Sequence, residues 1–473
     1  MPEFPSLPSD FTFGVASASH QVEGAVTEDG RGRSVWDTFC ERPGAIANGE
    51  SGAVACDHYH RYREDVALLK ELGVDSYRFS IAWPRVLPTG AGAVNEAGLD
   101  FYDRLVDELL GAGIEPAATL FHWDTPQALE DAGGWTGRDI AEHFAAYATV
   151  VGERLGDRVT RWMTLNEPNV VTIFGHAVGV HAPGRTLGLA ALPVAHHLLL
   201  GHGLAVQALR AAGCDNIGIA NNHAPSWPAS DTDEDRAAAR AYDDLWNWTF
   251  ADPVLLGHYP VEGPEQGFPS HREGDLEVIH QPLDWYGFNY YNPACVGAPR
   301  GETEGGATAA GDATSGDAVP ELAGLPMPEG MPFELRRIEG YDRTDFDWPV
   351  VPEGIAQTVQ LLRNRFGDAL PPVYVTESGC SYGEEPVDGR VADDRRVAYH
   401  DAHLRALADE ITAGADVRGY FAWSATDNFE WAEGYRQRFG LVHVDYDTQV
   451  RTPKDSYHWY RDLIAHTHAT PGA

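Results

Sequence analysis

Two glutamates in matching settings are the residues of this sequence best placed to do chemistry. Glu167 lies in Thr164–Pro168, directly after a β-branched and aromatic run that predicts a strand. Glu377 lies in Thr376–Gly379, again after an apolar run. Pro168 should end its strand, because it has no N–H to donate to a sheet. The C-terminal end of a barrel strand is where enzymes of that fold keep their reacting groups.

A pair of carboxyl groups can cleave an acetal. One protonates the leaving oxygen, while the other stabilises or attacks the oxocarbenium-like carbon from the opposite side. A gap of about 5–5.5 Å between the two gives retention, and one of about 6.5–9.5 Å gives inversion. The sequence does not distinguish between these two distances. Because ends of strands four and seven can approach across a barrel mouth, we predict that Glu167 and Glu377 face each other across a sugar.

Strand-like and helix-like runs alternate along the chain, which is typical of a parallel α/β fold. Strands are predicted over residues 11–15, 76–81, 116–121, 159–165, 216–220, 285–290, 373–376 and 419–423. Helices are predicted over residues 58–72, 98–110, 139–155, 194–210, 232–250, 352–366, 397–411 and 456–464. This count favours a single catalytic (β/α)8 TIM barrel over residues 1–473, with a long flexible loop around 297–330.

Composition excludes several classes of protein. No run of 18 apolar residues occurs, so no membrane span is expected. The N-terminus lacks the basic and apolar regions of a secretory signal. The five cysteines are scattered and form no C-x-x-C pair, which argues against a disulfide framework or a zinc site. These features predict a cytoplasmic protein.

The net charge of −37 is unusually negative, and Lys70 and Lys454 are the only lysines. Such a surface repels nucleic acid and anionic membranes, so neither is expected as a partner. Either a GC-rich genome or adaptation to high salt would explain the composition. His196, His197 and His202 share a predicted helix, but no carboxylate or cysteine lies in phase with them. Neither a metal nor a cofactor is therefore predicted.

Seven motifs, taken in order, resemble the retaining β-glycosidases of glycoside hydrolase family 1. The match runs from Phe11 to about Tyr460. The motifs are Gln21–Gly24, Tyr77–Ile81, His122–Asp124, Thr164–Pro168, Gly287–Tyr291, Thr376–Gly379 and Trp423 with Asp427–Trp431. The resemblance implies a β-glucosidase-type hydrolase. It would remove terminal non-reducing β-D-glucosyl residues, or galactosyl or fucosyl ones, by double displacement without metal or cofactor.

The resemblance also implies roles for individual residues. Glu167 is similar to the general acid/base, and Glu377 to the nucleophile that forms a covalent glycosyl-enzyme. Arg78 and Tyr291 are similar to the residues that keep the nucleophile ionised and oriented. Glu430 resembles the acidic residue that excludes sugar phosphates. The implied substrate-binding set is Gln21, His122, Asn166, Asn289, Tyr291, Trp423, Glu430, Trp431 and Phe439.

Some positions depart from the family pattern. Ser378 replaces the usual Asn after the nucleophile, and Ala425 and Thr426 replace two common leucines. Asn169, where many bacterial relatives carry Trp, indicates a different leaving-group site. Two other functions stay open: a transglycosylase that uses the same glutamates, and an inactive sugar-binding relative, although the latter should lack a carboxylate. Cellobiose degradation is expected, while the preferred sugar and assembly into a homo-oligomer stay open.

Overall fold

Eight parallel strands close into a barrel in the computed structural model, which describes residues 4–260, 268, 270–300 and 330–470. The strands are β1 Thr12–Ala16, β2 Ser76–Ser80, β3 Glu115–Phe121, β4 Arg161–Asn166, β5 Ile217–Asn222, β6 Tyr286–Asn289, β7 Val373–Ser378 and β8 Val417–Trp423. Neighbours in the ring follow chain order, and β1 closes it against β8 with Phe13 opposite Tyr420. The predicted TIM barrel is confirmed. Most of the predicted 297–330 loop, residues 301–329, lies outside the described residues.

Helices alternate with these strands. They are α1 His58–Leu72, α2 Glu96–Ala112, α3 Ile140–Leu155, α4 Leu192–Ala211, α5 Asp233–Asp243, α6 Pro352–Phe366, α7 Asp394–Thr412 and α8 Asp455–Ala469. Helix α2 shows why they form: Leu99, Tyr102, Val106 and Leu109 recur at helical spacing and are all buried. It stops at Gly113, whose φ of 82° suits a residue without a Cβ.

The predicted helix 232–250 is wrong in its middle. Helix α5 ends at Asp243, a π-helical turn covers Asp244–Trp248, and an α-helix resumes over Thr249–Leu255. The Thr249 hydroxyl donates to the carbonyl of Asp244 at 2.7 Å, five residues back, which matches the wider turn. Such bulges often serve functional sites. Here the bulge carries Trp246 to the C-terminal ends of the strands, where it borders the main cavity.

Shorter elements fill the loops and were too short to predict from periodicity. The short helices and turns are Ser19–Val22, Val35–Phe39, Ala47–Gly49, Trp83–Val86, Gln127–Asp131, Gly134–Thr136, Pro168–Val170, Val171–Val178, Gly188–Ala191, Asp275–Ile279, Gly367–Ala369 and Trp431–Glu433. Strands Ser226–Pro228, Ala294–Gly297 and Glu334–Arg336 form a small sheet, and Val442–Val444 pairs with Arg451–Pro453.

One helix resembles a membrane span by composition. The segment Gly188–Ala211, which includes α4, is long and apolar enough to cross a bilayer. However, 72% of its most apolar window is buried inside the protein. Val194, Leu198 and Leu209 belong to the core, so the segment has the character of a core helix. The expected lack of membrane association stays a prediction.

Candidate active site

Glu167 follows the last residue of β4 and starts a turn rather than continuing the strand. Its φ of 47° is left-handed, and Pro168 opens the short helix that follows. The side chain is 5% exposed. Its Oε1 accepts two hydrogen bonds, from Nδ2 of Asn222 at 2.9 Å and from Nδ2 of Asn289 at 2.8 Å. Both donors are the last residues of the next two strands, β5 and β6.

Glu377 lies near the end of β7 and has partners of a different kind. Its Oε1 is 2.5 Å from Nη1 of Arg78, and its Oε2 accepts from the Tyr291 hydroxyl at 2.7 Å. Arg78 is 1% exposed and lies in the middle of β2. From there its long side chain reaches the mouth, where Nη2 also donates to Oδ1 of Asn166 at 2.6 Å.

A shared amide joins the two carboxyl groups into one site. Asn289 donates to Glu167 and also to Oδ1 of Asn166, at 2.9 Å. The hydroxyl of Thr376, beside the second glutamate, donates to Oδ1 of Asn289 at 2.7 Å and thereby fixes which way its amide points. Glu167 and Glu377, 210 positions apart in sequence, line the same cavity of about 590 Å³. The predicted meeting of the two acids at one barrel mouth is therefore found.

The two carboxyls differ in how readily they hold a proton. Burial, reinforced by the charge of Glu377, raises the pKa of Glu167 to about 8, and its amide partners only partly offset this. Burial also raises the pKa of Glu377, while the Arg78 charge and the Tyr291 hydroxyl act against it. The net rise differs from the lowering expected for an ionised nucleophile. The Arg78 cation nevertheless makes Glu377 easier to ionise than Glu167, so the proton of the pair resides on Glu167.

Polar side chains form the part of the cavity that we call the sugar half, defined by Gln21, His122, Asn166, Glu430 and Trp431. Nε2 of Gln21 is 3.2 Å from Oε2 of Glu430. Nδ2 of Asn166 lies 3.0 Å from Nε2 of His122. Since Oδ1 of Asn166 already accepts from Arg78, this nitrogen is the donor and His122 the acceptor. Burial holds the pKa of His122 well below its usual value, so the ring is neutral.

Aromatic rings surround these polar groups. The His122 ring stacks on Trp423 and on Trp431 with centroids 5.9 Å away in both cases. Phe439 packs against Trp348 at 5.9 Å and against Tyr291 at 6.2 Å. Of the predicted site residues, the cavity wall contains His122, Glu167, Tyr291, Glu377, Trp423, Glu430, Trp431 and Phe439. The other four, Gln21, Arg78, Asn166 and Asn289, form hydrogen bonds with members of this wall.

A buried ion pair supports the loop that carries Glu430. Nζ of Lys454 is 2.7 Å from Oδ1 of Asp427, and both side chains are fully buried. Arg438 contacts the other oxygen at 3.1 Å. Burial lowers the pKa of Lys454 to about 8, although the aspartate opposes this. Next along the chain, Oδ1 of Asn428 accepts from the Gln21 amide at 3.1 Å, which connects the pair to the sugar half.

Two of the residues that depart from the family pattern do not line the cavity. Asn169 is 1% exposed, and its amide donates to the backbone carbonyls of Asn222 and Trp246. It therefore supports the leaving-group side from behind rather than lining it. Ser378 is fully buried, with its hydroxyl 3.3 Å from that of Tyr399.

The sequence analysis missed Asn222 and Trp246. Asn222 contacts Glu167 directly and accepts from Nε1 of Trp246 at 3.2 Å. The available signal was the polar triplet Asn221–His223 at the end of a predicted barrel strand. Among the described residues, no group of three or more His, Cys, Asp or Glu is arranged to hold a metal.

A closed parallel barrel whose mouth holds two buried, unequally partnered carboxyls is the arrangement of a barrel-type glycoside hydrolase. Comparison with known proteins gives the family. The model of glycosyl hydrolase family 1 matches residues 4–469. The chain belongs to glycosyl hydrolase family 1.

Relatives and solved structures agree with this assignment. A β-glucosidase of Agrobacterium sp. is 45% identical over 463 residues, covering 97% of this chain and 95% of that protein. β-Glucosidase A of Thermotoga maritima is 42% identical, with 97% of each chain covered. The psychrophilic β-glucosidase of Micrococcus antarcticus superposes with a TM-score of 0.91 at 45% identity, covering 98% of each chain. The Thermotoga maritima β-glucosidase in complex with glucoimidazole gives 0.87 at 41% identity, covering 98% and 99%.

Proposed function

We propose that this enzyme, a retaining β-glucosidase, uses Glu167 as its general acid/base and Glu377 as its nucleophile. One observation carries the assignment. Glu377 contacts a guanidinium and a phenol hydroxyl, whereas Glu167 contacts two neutral amides. A nucleophile must be ionised and an acid must be protonated, and these two environments separate the roles in that direction.

In the first step, a carboxylate oxygen of Glu377 bonds to the anomeric carbon as the bond to the leaving oxygen breaks. The electron pair stays on the leaving oxygen, which takes a proton from Glu167. Oε1 of Glu167 already accepts from Asn222 and Asn289, so Oε2 carries the proton. The products are a free alcohol and a glucosyl ester of Glu377.

In the second step, the ionised Glu167 removes a proton from water. The water oxygen bonds to the anomeric carbon, and the ester to Glu377 breaks to regenerate its carboxylate. Each displacement inverts the anomeric centre, so the sugar leaves with its original configuration. Proton NMR of the first product formed from a β-glucoside should show β-glucose before mutarotation.

Azide rescue tests which glutamate has which role. With 2,4-dinitrophenyl β-glucoside, whose leaving group needs no acid, Glu167→Ala should still form the glucosyl-enzyme and then yield β-glucosyl azide. Glu377→Ala should lack the covalent step, so azide attacks directly and yields the α-azide. The opposite pairing of variants and anomers would contradict the assignment. The same product from both variants would contradict it as well.

We also propose that the substrate range includes cellobiose and aryl β-glucosides, and that β-galactosides and β-fucosides are cleaved more slowly. Glu430, between Phe429 and Trp431, supports unphosphorylated sugars because a carboxylate or carboxylic acid there gives no cation to a phosphate. A panel of 4-nitrophenyl β-glycosides, with the 6-phosphoglucoside included, tests this order. Faster cleavage of the 6-phosphoglucoside would overturn it.

Adaptation to high salt is proposed from the charge distribution. The net charge is −37, and even Arg158, in the turn after α3, is surrounded by acids. Arg158 contacts Asp103 at 2.6 Å and Asp107 at 2.7 Å. Salt screens repulsion between exposed acids, since the Debye length falls from about 10 Å at 0.1 M to about 3 Å at 1 M. The melting temperature should rise by about 5 °C between those concentrations, and an unchanged or lower value would favour the genomic explanation.

A cytoplasmic location is proposed from the same surface and from the thiols. All five cysteines lie within the described residues, and none of them forms a disulfide. Such usage fits a reducing compartment. Fractionation of the native host should recover the activity with cytosolic markers, and recovery from the medium would contradict the proposal. Gel filtration of the pure protein decides between a monomer and the homo-oligomer left open by the sequence.

A further inference from the structure

We infer that the leaving-group half of the cavity is built for an apolar aglycone, an alkyl or aryl alcohol, in preference to a second sugar. The inference rests on the proposed function, because Glu167 as the acid defines the side on which the leaving oxygen lies. We define the leaving-group half by Asn222, Trp246, Phe174 and Tyr242. All four line the same cavity as the two glutamates.

The aglycone must extend from the oxygen that Glu167 protonates. The next groups outward from Glu167 are Asn222, at 2.9 Å, and then Trp246, whose Nε1 donates to Asn222 at 3.2 Å. The Trp246 ring lies 5.7 Å from Phe174 and is stacked 5.9 Å from Tyr242, with 12° between the planes. Three aromatic rings thus form one wall, which Asn222 connects to the acid.

Several polar groups along this wall are already engaged by the protein, and the hydroxyl of Tyr242 is buried away from the cavity surface. The indole N–H of Trp246 donates to Oδ1 of Asn222, and Nδ2 of Asn292 donates to the carbonyl of Pro293 at 3.0 Å. Nε of Arg336 pairs with Glu334 at 3.2 Å. Nη1 of Arg42, on the exposed rim, donates to the carbonyl of Gly184 at 3.4 Å. A second sugar would bring several hydroxyls to partners already in use, and such mismatches are costly, whereas an alkyl chain needs only contact area.

The apolar surface continues behind the wall. A second cavity, of about 40 Å³, shares Phe174, Tyr242, Trp246 and Leu335 with the main one. The rest of its lining includes Ile173, Leu245, Phe250 and Phe333. The rings of the wall are therefore backed by further apolar side chains, with no polar layer between. By contrast, the sugar half contains carboxyl, imidazole and amide groups.

Two matched substrates separate apolar contact from chemical reactivity. Hexyl β-D-glucoside and 2-(2-hydroxyethoxy)ethyl β-D-glucoside have aglycones of equal length, but the second carries an ether and a hydroxyl oxygen. We expect kcat/KM to be about 10-fold higher for the hexyl compound, and to rise about two- to fourfold per methylene from methyl to hexyl. Cellobiose should fall below the hexyl compound. Equal values for the matched pair, or a higher value for cellobiose, would overturn the inference.

The same experiment distinguishes this inference from the proposed function. If no β-glucoside is hydrolysed, the proposed function fails. If all are hydrolysed without a preference for apolar aglycones, only the inference fails.

A substitution in the aromatic wall tests whether the aglycone binds there. Phe174→Ser should lower kcat/KM for the hexyl compound about 10-fold more than for methyl β-D-glucoside. The milder Phe174→Leu, which keeps an apolar side chain, should show a smaller difference of the same sign. The matched control is Phe4→Ser, because Phe4 packs on Trp459 and His466, outside the cavity. An equal loss on both substrates in both Phe174 variants would place the aglycone elsewhere.

Discussion

The two halves of one cavity use different physical means. In the sugar half, Gln21 contacts Glu430 and Asn166 contacts His122, so each polar group has a fixed direction. In the leaving-group half, the rings of Phe174 and Trp246 offer apolar contact area, which favours no particular orientation of the ligand. Directional groups discriminate strongly between hydroxyl patterns, whereas apolar area distinguishes ligands only gradually by size. The enzyme should therefore be strict about the sugar and tolerant about the alcohol.

The largest expected effect comes from Arg78→Met, beneath the sugar half. Loss of the cation leaves Glu377 buried without a charged partner, which raises its pKa further. The nucleophile must be ionised, so activity on the acid side should disappear at a higher pH than in the wild type. The value of kcat/KM should fall roughly 10³-fold, measured with an aryl β-glucoside across pH.

The control for that variant is Arg85→Met. Arg85 is fully buried and 2.9 Å from Glu23, so its loss also breaks a buried ion pair, but outside the cavity wall. Its melting temperature should fall, while the acid side of its pH profile stays in place. An unshifted acid limb in Arg78→Met would show that the guanidinium does not act on Glu377.

Glu430→Ala should have the next largest effect. The change removes a hydrogen-bonding group of the sugar half and leaves Gln21 without that partner. A loss of roughly 10- to 100-fold in kcat/KM is expected. Because the group contacts the sugar, the factor should be the same for methyl and hexyl β-D-glucosides. If the loss in kcat/KM differed between the two aglycones, Glu430 would not act on the sugar alone, and the division of the cavity into two halves would be wrong.

Asn222→Ala acts at the boundary between the halves. The Asn222 amide is one of two that lower the pKa of Glu167, so its loss should raise that pKa above about 8. The acid works when protonated and activity falls as pH rises through its pKa, so the basic limb should move to higher pH. We expect about a fivefold loss in kcat/KM for hexyl β-D-glucoside and a smaller one for the dinitrophenyl glucoside, which needs no acid.

The adjacent Asn221 offers a matched control. It has the same side chain on the same strand, but its amide donates to the Tyr286 hydroxyl at 2.7 Å and not to Glu167. Asn221→Ala should lower stability without a difference between the two substrates. Equal pH profiles for both variants would contradict a role for Asn222 at the acid.

Ser378→Ala should have the smallest effect, because this departure from the family belongs to neither half. The hydroxyl is buried against that of Tyr399, next to the nucleophile in sequence but turned away from the cavity. We expect less than a threefold change in kcat/KM and about 1 kcal/mol lower free energy of unfolding in urea. A loss above 10-fold would show that the residue after Glu377 positions it.

The barrel was predictable because most strands are short runs rich in apolar, aromatic or β-branched residues, and helical patterns alternate with them. The two glutamates followed from their motifs and from the rule that chemistry sits at strand ends. The π-helical turn at Asp244–Trp248 was not predictable, since its residues have ordinary helical spacing and the wider turn depends on a contact made by Thr249. For this reason Trp246, and with it the aromatic wall, escaped detection.

Electrostatics were predicted less well than positions. Opposite charge beside Glu377 was foreseen, but the net rise in its pKa comes from complete burial, which a sequence does not display. Asn169 shows the same limit: its departure from the Trp of many relatives indicated a different leaving-group site, yet its side chain turns to the backbone of Asn222. In both cases the property depends on neighbours that are distant in sequence.

The complete burial of Lys454 has a practical consequence for attaching the enzyme to a solid support. Of the two lysines, Lys70 alone has an accessible amine, since Lys454 is enclosed with Asp427. Lys70 is in the last turn of α1, which leads into the start of β2, at the end of the barrel opposite the mouth. Lysine-directed coupling at Lys70 would therefore orient bound molecules alike, with their openings turned toward solution.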